Sequence, residues 1–141
     1  MRYIGLDLGT KTLGISISDE TKTIASPLKT LRFSENIYDE ILNELEEIVK
    51  EFNVEKIVLG LPKNMNNTIG ERALVTMEFQ KKISGLLNIP VILQDERLST
   101  VSAHNYLLEA NVSRKKRKGV VDKMAANIIL QTYLDKEKGM K

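Results

Sequence analysis

Tyr3-Ile4-Gly5-Leu6-Asp7-Leu8-Gly9-Thr10-Lys11-Thr12-Leu13-Gly14-Ile15-Ser16-Ile17-Ser18 reads as two short strands joined by a tight turn. Tyr3–Leu8 is apolar except at Asp7, and in Leu13–Ser18 the residues Leu13, Ile15 and Ile17 alternate toward one face. Gly9–Thr12 is too short for the crossover that parallel strands require, so the pair forms an antiparallel hairpin. Asp19–Lys22 supplies a second turn, and Thr23–Leu28 a weaker third strand that ends near Pro27.

Beyond this meander the pattern alternates. Ser34 is placed to cap a helix along which Ile37, Ile41, Leu45, Ile48 and Phe52 recur at helical spacing. Lys56–Leu61 is a fourth strand, closed by Gly60-Leu61-Pro62, and the polar stretch 63–70 is a loop. Val75, Phe79, Ile83 and Leu86 mark a second amphipathic helix, and Val91–Leu93 a short fifth strand after Pro90. Ser99 or Thr100 caps a third helix through Leu108, residues 111–118 connect, and a last helix runs from Val120 to about Leu134. The order βββαβαβαα predicts an α/β fold with one mixed sheet and helices on both faces.

At 141 residues, with 28% charged and 42% hydrophobic positions, the chain suits one domain spanning 1–141. The absence of cysteine excludes disulfides, iron–sulfur clusters and cysteine-held zinc, and a single histidine, His104, excludes multi-histidine metal sites. A bound metal would therefore need oxygen ligands, which favours Mg2+ or Mn2+. No apolar run approaches the roughly 20 residues of a membrane span and no signal-peptide pattern opens the chain, so a soluble cytoplasmic protein with no membrane partner is expected. The net charge of +2 is unevenly spread: residues 1–100 hold 12 basic and 15 acidic side chains, whereas residues 101–141 hold 9 and 4. Five of those bases, Arg114, Lys115, Lys116, Arg117 and Lys118, are consecutive and suited to neutralising phosphates.

Three sets of carboxylates stand out. Asp7 interrupts an apolar strand, where an ionised group is costly unless paired or metal-bound, and alternation puts it on the face opposite Ile4 and Leu6. Asp95 and Glu96 directly follow the fifth strand, at the carboxyl end where ligands of open α/β sheets lie; successive residues diverge, so one of the two faces the same ligand as Asp7. Asp122 lies near the start of the last helix, just behind the basic run. Three such oxygen ligands around one or two divalent ions can hydrolyse a phosphodiester, with Lys11 and Arg97 available for phosphate oxygens. The glycine-rich opening turn matches neither the P-loop nor the dinucleotide fingerprint, and no organic cofactor site is expected.

Gly5-x-Asp7-x-Gly9-x-Lys11-x-x-Gly14, Ser18-Asp19, Gly60-Leu61-Pro62, Asp95-Glu96-Arg97-Leu98-Ser99-Thr100 and Lys118-Gly119-x-x-Asp122-x-x-Ala125-Ala126 follow one another along essentially the whole chain. This ordered set resembles the pre-16S rRNA nuclease family, also described as Holliday-junction-resolvase-like. The resemblance implies a ribonuclease H-like fold with a five-stranded sheet in the order 3-2-1-4-5. It also implies a cytoplasmic role in maturing the 5′ end of precursor 16S rRNA. Asp7, Glu96 and Asp122 would be the catalytic, Mg2+-binding acids, with Asp95 a further ligand or a partner of the ligands. The expected partners are structured RNA and ribosomal particles, and the expected state a monomer or weak dimer. Three other readings compete: a dimeric resolvase of branched DNA, an ATP-binding fold whose phosphate loop the glycine-rich opening turn resembles, and a non-catalytic RNA-binding assembly module.

Overall fold

The computed structural model describes residues 1–35, 37–62, 70–95 and 114–137, with backbone alone for residues 95 and 114–124. Strands β1 (Arg2–Leu8), β2 (Thr12–Ser18) and β3 (Ala25–Arg32) form the antiparallel meander. A 3-10 turn (Tyr38–Ile41) leads into α1 (Leu42–Glu51), followed by β4 (Val54–Leu61), α2 (Glu71–Leu87), β5 (Val91–Asp95) and α3 (Arg114–Glu137). The strands lie in the order β3-β2-β1-β4-β5, with β4 parallel to both β1 and β5. Among the described residues no helix is long and apolar enough to cross a membrane.

Period-two alternation divides the sheet into two unlike faces. On one, Ile4, Leu6, Leu8, Leu13, Ile15, Ile57 and Leu59 pack with Ile41, Leu45, Ile48, Phe79 and Ile83 of the elements around α1 and α2. On the other, Tyr3 and Val58 meet Ile129, Leu130 and Leu134 of α3. The second face is built largely of small residues, and at Gly5 there is no room for a side chain. A Cβ there would stand 2.6 Å from Ser16 Oγ, 2.7 Å from Leu130 Cβ and 2.8 Å from the Ala126 carbonyl oxygen. Ser16 Oγ donates to that same carbonyl at 2.8 Å, fixing the helix on the sheet.

Several boundaries differ from those the sequence suggests. β3 continues through Pro27 to Arg32, because an edge strand tolerates a residue that cannot donate to the ladder. The register slips at Ile15/Ser16, opposite the proline. Ser34 does not cap α1, which starts at Leu42 after the 3-10 turn; Ser34 N–H instead donates to Glu40 Oε1 at 2.5 Å. Arg114–Lys118, expected in a connection, form the first turns of α3. Arginine and lysine are strong helix formers, and the one poor former, Gly119, is outweighed across the 24 residues. The helix expected from Ser99 or Thr100 to Leu108 lies outside the described residues.

The Ser18-Asp19 pair has a structural role. Ser18 Oγ accepts the Tyr3 N–H at 2.9 Å and donates to the Asp19 carbonyl at 2.9 Å. The Asp19 carboxylate closes the β2–β3 turn, accepting the Thr21 hydroxyl at 2.6 Å and the Thr23 and Ile24 N–H groups at 2.8 and 3.1 Å. Those donors hold its pKa down to about 2.

Two outcomes follow. Gly5→Ala should lower unfolding free energy by about 1–3 kcal/mol in a urea titration, since the added methyl meets backbone and Cβ atoms that cannot swing aside. Asp19 has a depressed folded pKa, so its contribution is present above 3.8 and lost as pH falls toward about 2. The stability gap between the parent and Asp19→Ala should therefore close on acidification through that window, as read by thermal melting.

Candidate functional site

The carboxyl ends of β1, β4 and β5 reach the same edge of the sheet. Asp7 stands there, half-buried, on the face covered by α3, two residues along the strand from Gly5. Its cross-strand partner in β2 is Gly14. On the other side, β1 pairs with β4 as far as Leu6 and Leu59, so the next residue level with Asp7 is Gly60, itself paired with Gln94 of β5. The carboxylate is thus flanked by two glycines in a trough that no neighbouring strand side chain fills. Its partial exposure to solvent lowers the cost of its charge within an apolar strand.

The packing of α3 gives its direction across this face. Its last turns lie over the start of β1, where the Tyr3 hydroxyl donates to Glu137 Oε1 at 2.9 Å and the Tyr3 and Tyr133 rings meet edge-on at 6.1 Å. Ala126 and Leu130 lie over Gly5. Going toward the helix N-terminus therefore means going toward the end of β1 that carries Asp7. Asp122 is one turn before Ala126, about 6 Å along the axis, and Asp7 is about 7 Å beyond Gly5. As the ninth residue of α3, Asp122 is also beyond the first turn, where the helix dipole acts.

The far end of α3 is held by a polar cluster. Lys56 Nζ donates to the Tyr133 hydroxyl at 2.9 Å and to Glu137 Oε2 at 3.2 Å, and lies 4.8 Å from the Tyr3 ring centroid. Burial works against the lysine charge, but the bonds to Tyr133 and Glu137 outweigh it and raise Lys56 above the ordinary range. Burial likewise pushes Glu137 up, and the Tyr3 and Lys56 donors more than reverse it, so its carboxyl is held low. Tyr3 is raised by burial and by its bond to Glu137. This cluster sits at the opposite end of β1 from Asp7 and acts as an anchor.

Of the residues singled out in the sequence, the backbone brings Asp7, Asp95 and Asp122 toward one edge. Asp95 is the last residue of β5, paired with Leu61. β1 and β5 are separated by β4 alone, about 10 Å between backbones. Lys11 is exposed in the β1–β2 turn, where its carbonyl accepts the Phe33 N–H at 2.9 Å. Glu96 and Arg97 lie outside the described residues. Among the described residues no group of three acids or histidines gathers to hold a metal ion.

Two residues escape a reading by pattern alone. Gln94 is a buried polar residue in the row of Asp7, with Gly60 between them. Its signal is the alternation of Val91 and Leu93 with Ile92, which runs on into position 94. Arg72, second in α2, reaches back to the end of β1, donating from Nη2 to the Leu8 carbonyl at 3.2 Å and from Nη1 to the Tyr38 hydroxyl at 3.1 Å.

Comparison with known proteins gives a consistent picture. A family model described as "RuvX: Holliday junction resolvase" matches residues 1–136. A protein of Bacillus pumilus strain SAFR-032 named "Putative pre-16S rRNA nuclease" is 53% identical over 135 residues, spanning 96% of this chain and 98% of its own. One of the same name from Bacillus subtilis strain 168 is 50% identical over the same shares. Among solved structures, Thermus thermophilus RuvC aligns with a TM-score of 0.60 at 13% identity, covering 99% of this chain and 98% of its own. The fowlpox virus Holliday junction resolvase aligns with a TM-score of 0.55 at 14% identity, covering 98% and 99%. At these identities the two structures share the fold.

Proposed function

Since the chain belongs to the RuvX family, we propose that it is a divalent-metal-dependent nuclease that hydrolyses phosphodiester bonds in processing the 5′ end of precursor 16S rRNA. Relatives half identical over nearly the whole chain carry that nuclease name. The observation that carries the reading is Asp7 itself: a half-buried carboxylate set in an apolar strand between Gly14 and Gly60, at the edge where three strands end.

In this proposal Asp7, Glu96 and Asp122 hold Mg2+ or Mn2+, with Asp95 as a further ligand or a partner that orients one. The donor set fits: carboxylate oxygens suit hard cations, and the flanking Gly14 and Gly60 put no strand side chain in the way beside Asp7. When bound, the metal activates the attacking water and neutralises the leaving oxygen. Asp7 belongs to β1 and Asp122 to α3, so the two proposed ligands would come from elements fixed to one another at Gly5 and Ser16. Lys11, Arg97 and the basic run Arg114–Lys118 take up phosphate oxygens of structured RNA, in ribosomal precursor particles within the cytoplasm. A monomer suffices for trimming an RNA end.

The family's description keeps a second reading, resolution of branched DNA. Symmetric incision of a four-way junction calls for two active sites in a dimer. Paired nicks on such a substrate, with a dimeric mass in solution, would favour it over RNA processing.

Because Arg114–Lys118 are helical, they are not equivalent. Lys118 and Lys115 precede Asp122 by four and seven positions and share its stripe of the helix, whereas Lys116 and Arg117 fall on other sides.

Asp7→Asn should abolish Mg2+-dependent cleavage of a precursor 16S RNA, a loss exceeding the roughly 10–100-fold typical of removing a mere partner of metal ligands. Circular dichroism should remain that of the parent. Retained cleavage in a preparation free of contaminating nuclease would remove Asp7 from the chemistry. The double change Lys115→Gln, Lys118→Gln should weaken RNA binding more than Lys116→Gln, Arg117→Gln. It should also flatten the slope of log affinity against log salt by about one unit for each phosphate no longer gripped. Equal losses would mean that the run acts as a diffuse field.

A further inference from the structure

Arg72 occupies a position that secondary structure alone disfavours. It lies in the first turn of α2, where the helix dipole opposes a cation. Among the described residues no carboxylate lies within ion-pair distance of its guanidinium. It donates instead to two neutral oxygens from distant parts of the chain, the Leu8 carbonyl and the Tyr38 hydroxyl. Tyr38 is itself wedged between aromatic rings, 5.3 Å from Phe33 and 5.9 Å from Phe79. The guanidinium therefore ties the end of β1 to a rigid platform.

What it ties is the backbone immediately after Asp7. The pairing of β1 with β4 stops at Leu6 and Leu59, one residue before Asp7, and the carbonyl held by Arg72 belongs to Leu8, one residue after. On the β2 side the turn is closed by Gly9 N–H to the Thr12 carbonyl at 2.8 Å. Without Arg72, the stretch Asp7-Leu8-Gly9 would be held from one side only. A ligand carboxylate must be fixed to within about 0.5 Å to work, and residues that fix ligands are commonly worth 10–100-fold in metal affinity.

We propose that Arg72 is a positioning residue for Asp7, holding the strand end so that the carboxylate is presented for metal binding. The inference rests on the nuclease reading above. Its test separates the two. Titration calorimetry with Mn2+ in the absence of nucleic acid, on parent and Asp7→Asn, first establishes whether Asp7 binds metal; equal affinities would sink the nuclease reading itself, and this inference with it.

Given a difference there, Arg72→Gln should weaken Mn2+ binding about 10–100-fold and lower kcat, with KM for RNA unchanged. RNA affinity in EDTA, and its salt dependence, should stay at the parental level. Arg72→Lys, which can still reach one oxygen, should recover part of the loss. Unchanged Mn2+ affinity would reduce Arg72 to a strut between α2 and β1. Weakened RNA binding in EDTA with a shallower salt slope would make it a phosphate-binding residue instead. Should Arg72→Gln fail to fold, Tyr38→Phe removes the platform's hydroxyl alone and should weaken Mn2+ binding in the same direction by a smaller factor; no change there would overturn the inference.

Discussion

The close approach of α3 to β1 and β2 is the constraint on which the rest of the molecule depends. At Gly5 the helix and strand meet with less than a methyl group's clearance, and Ser16 bonds the helix backbone directly. Such an approach is possible only where the sheet offers hydrogen or a small hydroxyl in place of a larger side chain. The face under α3 accordingly carries Gly5, Gly14, Ser16, Ser18 and Gly60, while the opposite face carries the branched aliphatic residues of the main core. Two unlike faces of one sheet thus serve two ends: one supplies most of the apolar burial, the other holds a helix at fixed height above the strands.

That fixed height gives the candidate site its shape. The same small residues that admit the helix put no strand side chain level with Asp7, so close packing and the setting of the carboxylate draw on the same residue type. At the other end of β1 the same face is filled by Tyr3, Lys56, Tyr133 and Glu137, a cluster rich in donors, rings and charge. The helix is anchored firmly away from the edge and runs toward it. Rigid supports behind a site, with the ligands themselves near the free ends, are what precise placement of carboxylates requires.

Much of this is legible in the residues. The hairpin follows from alternation and the short Gly9–Thr12 turn, and the side of Asp7 from its alternation with Ile4 and Leu6; both hold. The strand order comes from the resemblance rather than from periodicity, which cannot say which strands neighbour one another. What pattern reading misses has identifiable causes. Pro27 marks the end of a strand only in a sheet interior, and β3 is an edge. Five consecutive bases look like a solvated loop because no apolar position interrupts them, yet their intrinsic preference is helical. Arg72 joins residues 64 and 34 positions away, and nothing local to it announces a bond of that range.

The helical setting of the basic run changes what it can do. In a flexible connection, five cations would form a mobile cloud whose grip on a phosphate backbone carried no fixed relation to the chemistry. On α3 they belong to the same rigid rod as Asp122, and that rod is pinned to the sheet beneath it. In the proposed enzyme, the distance from a phosphate held there to Asp122 would be set by helix rise: the four to seven positions from Lys118 and Lys115 to Asp122 span about 6–10 Å. Against a repeat of about 3.4 Å along each strand of duplex DNA, this is the span of about two to three phosphates. In the proposed enzyme, binding and registration would therefore be one event, because holding the neighbouring phosphates on the helix would bring the scissile one to the trough beside Asp7.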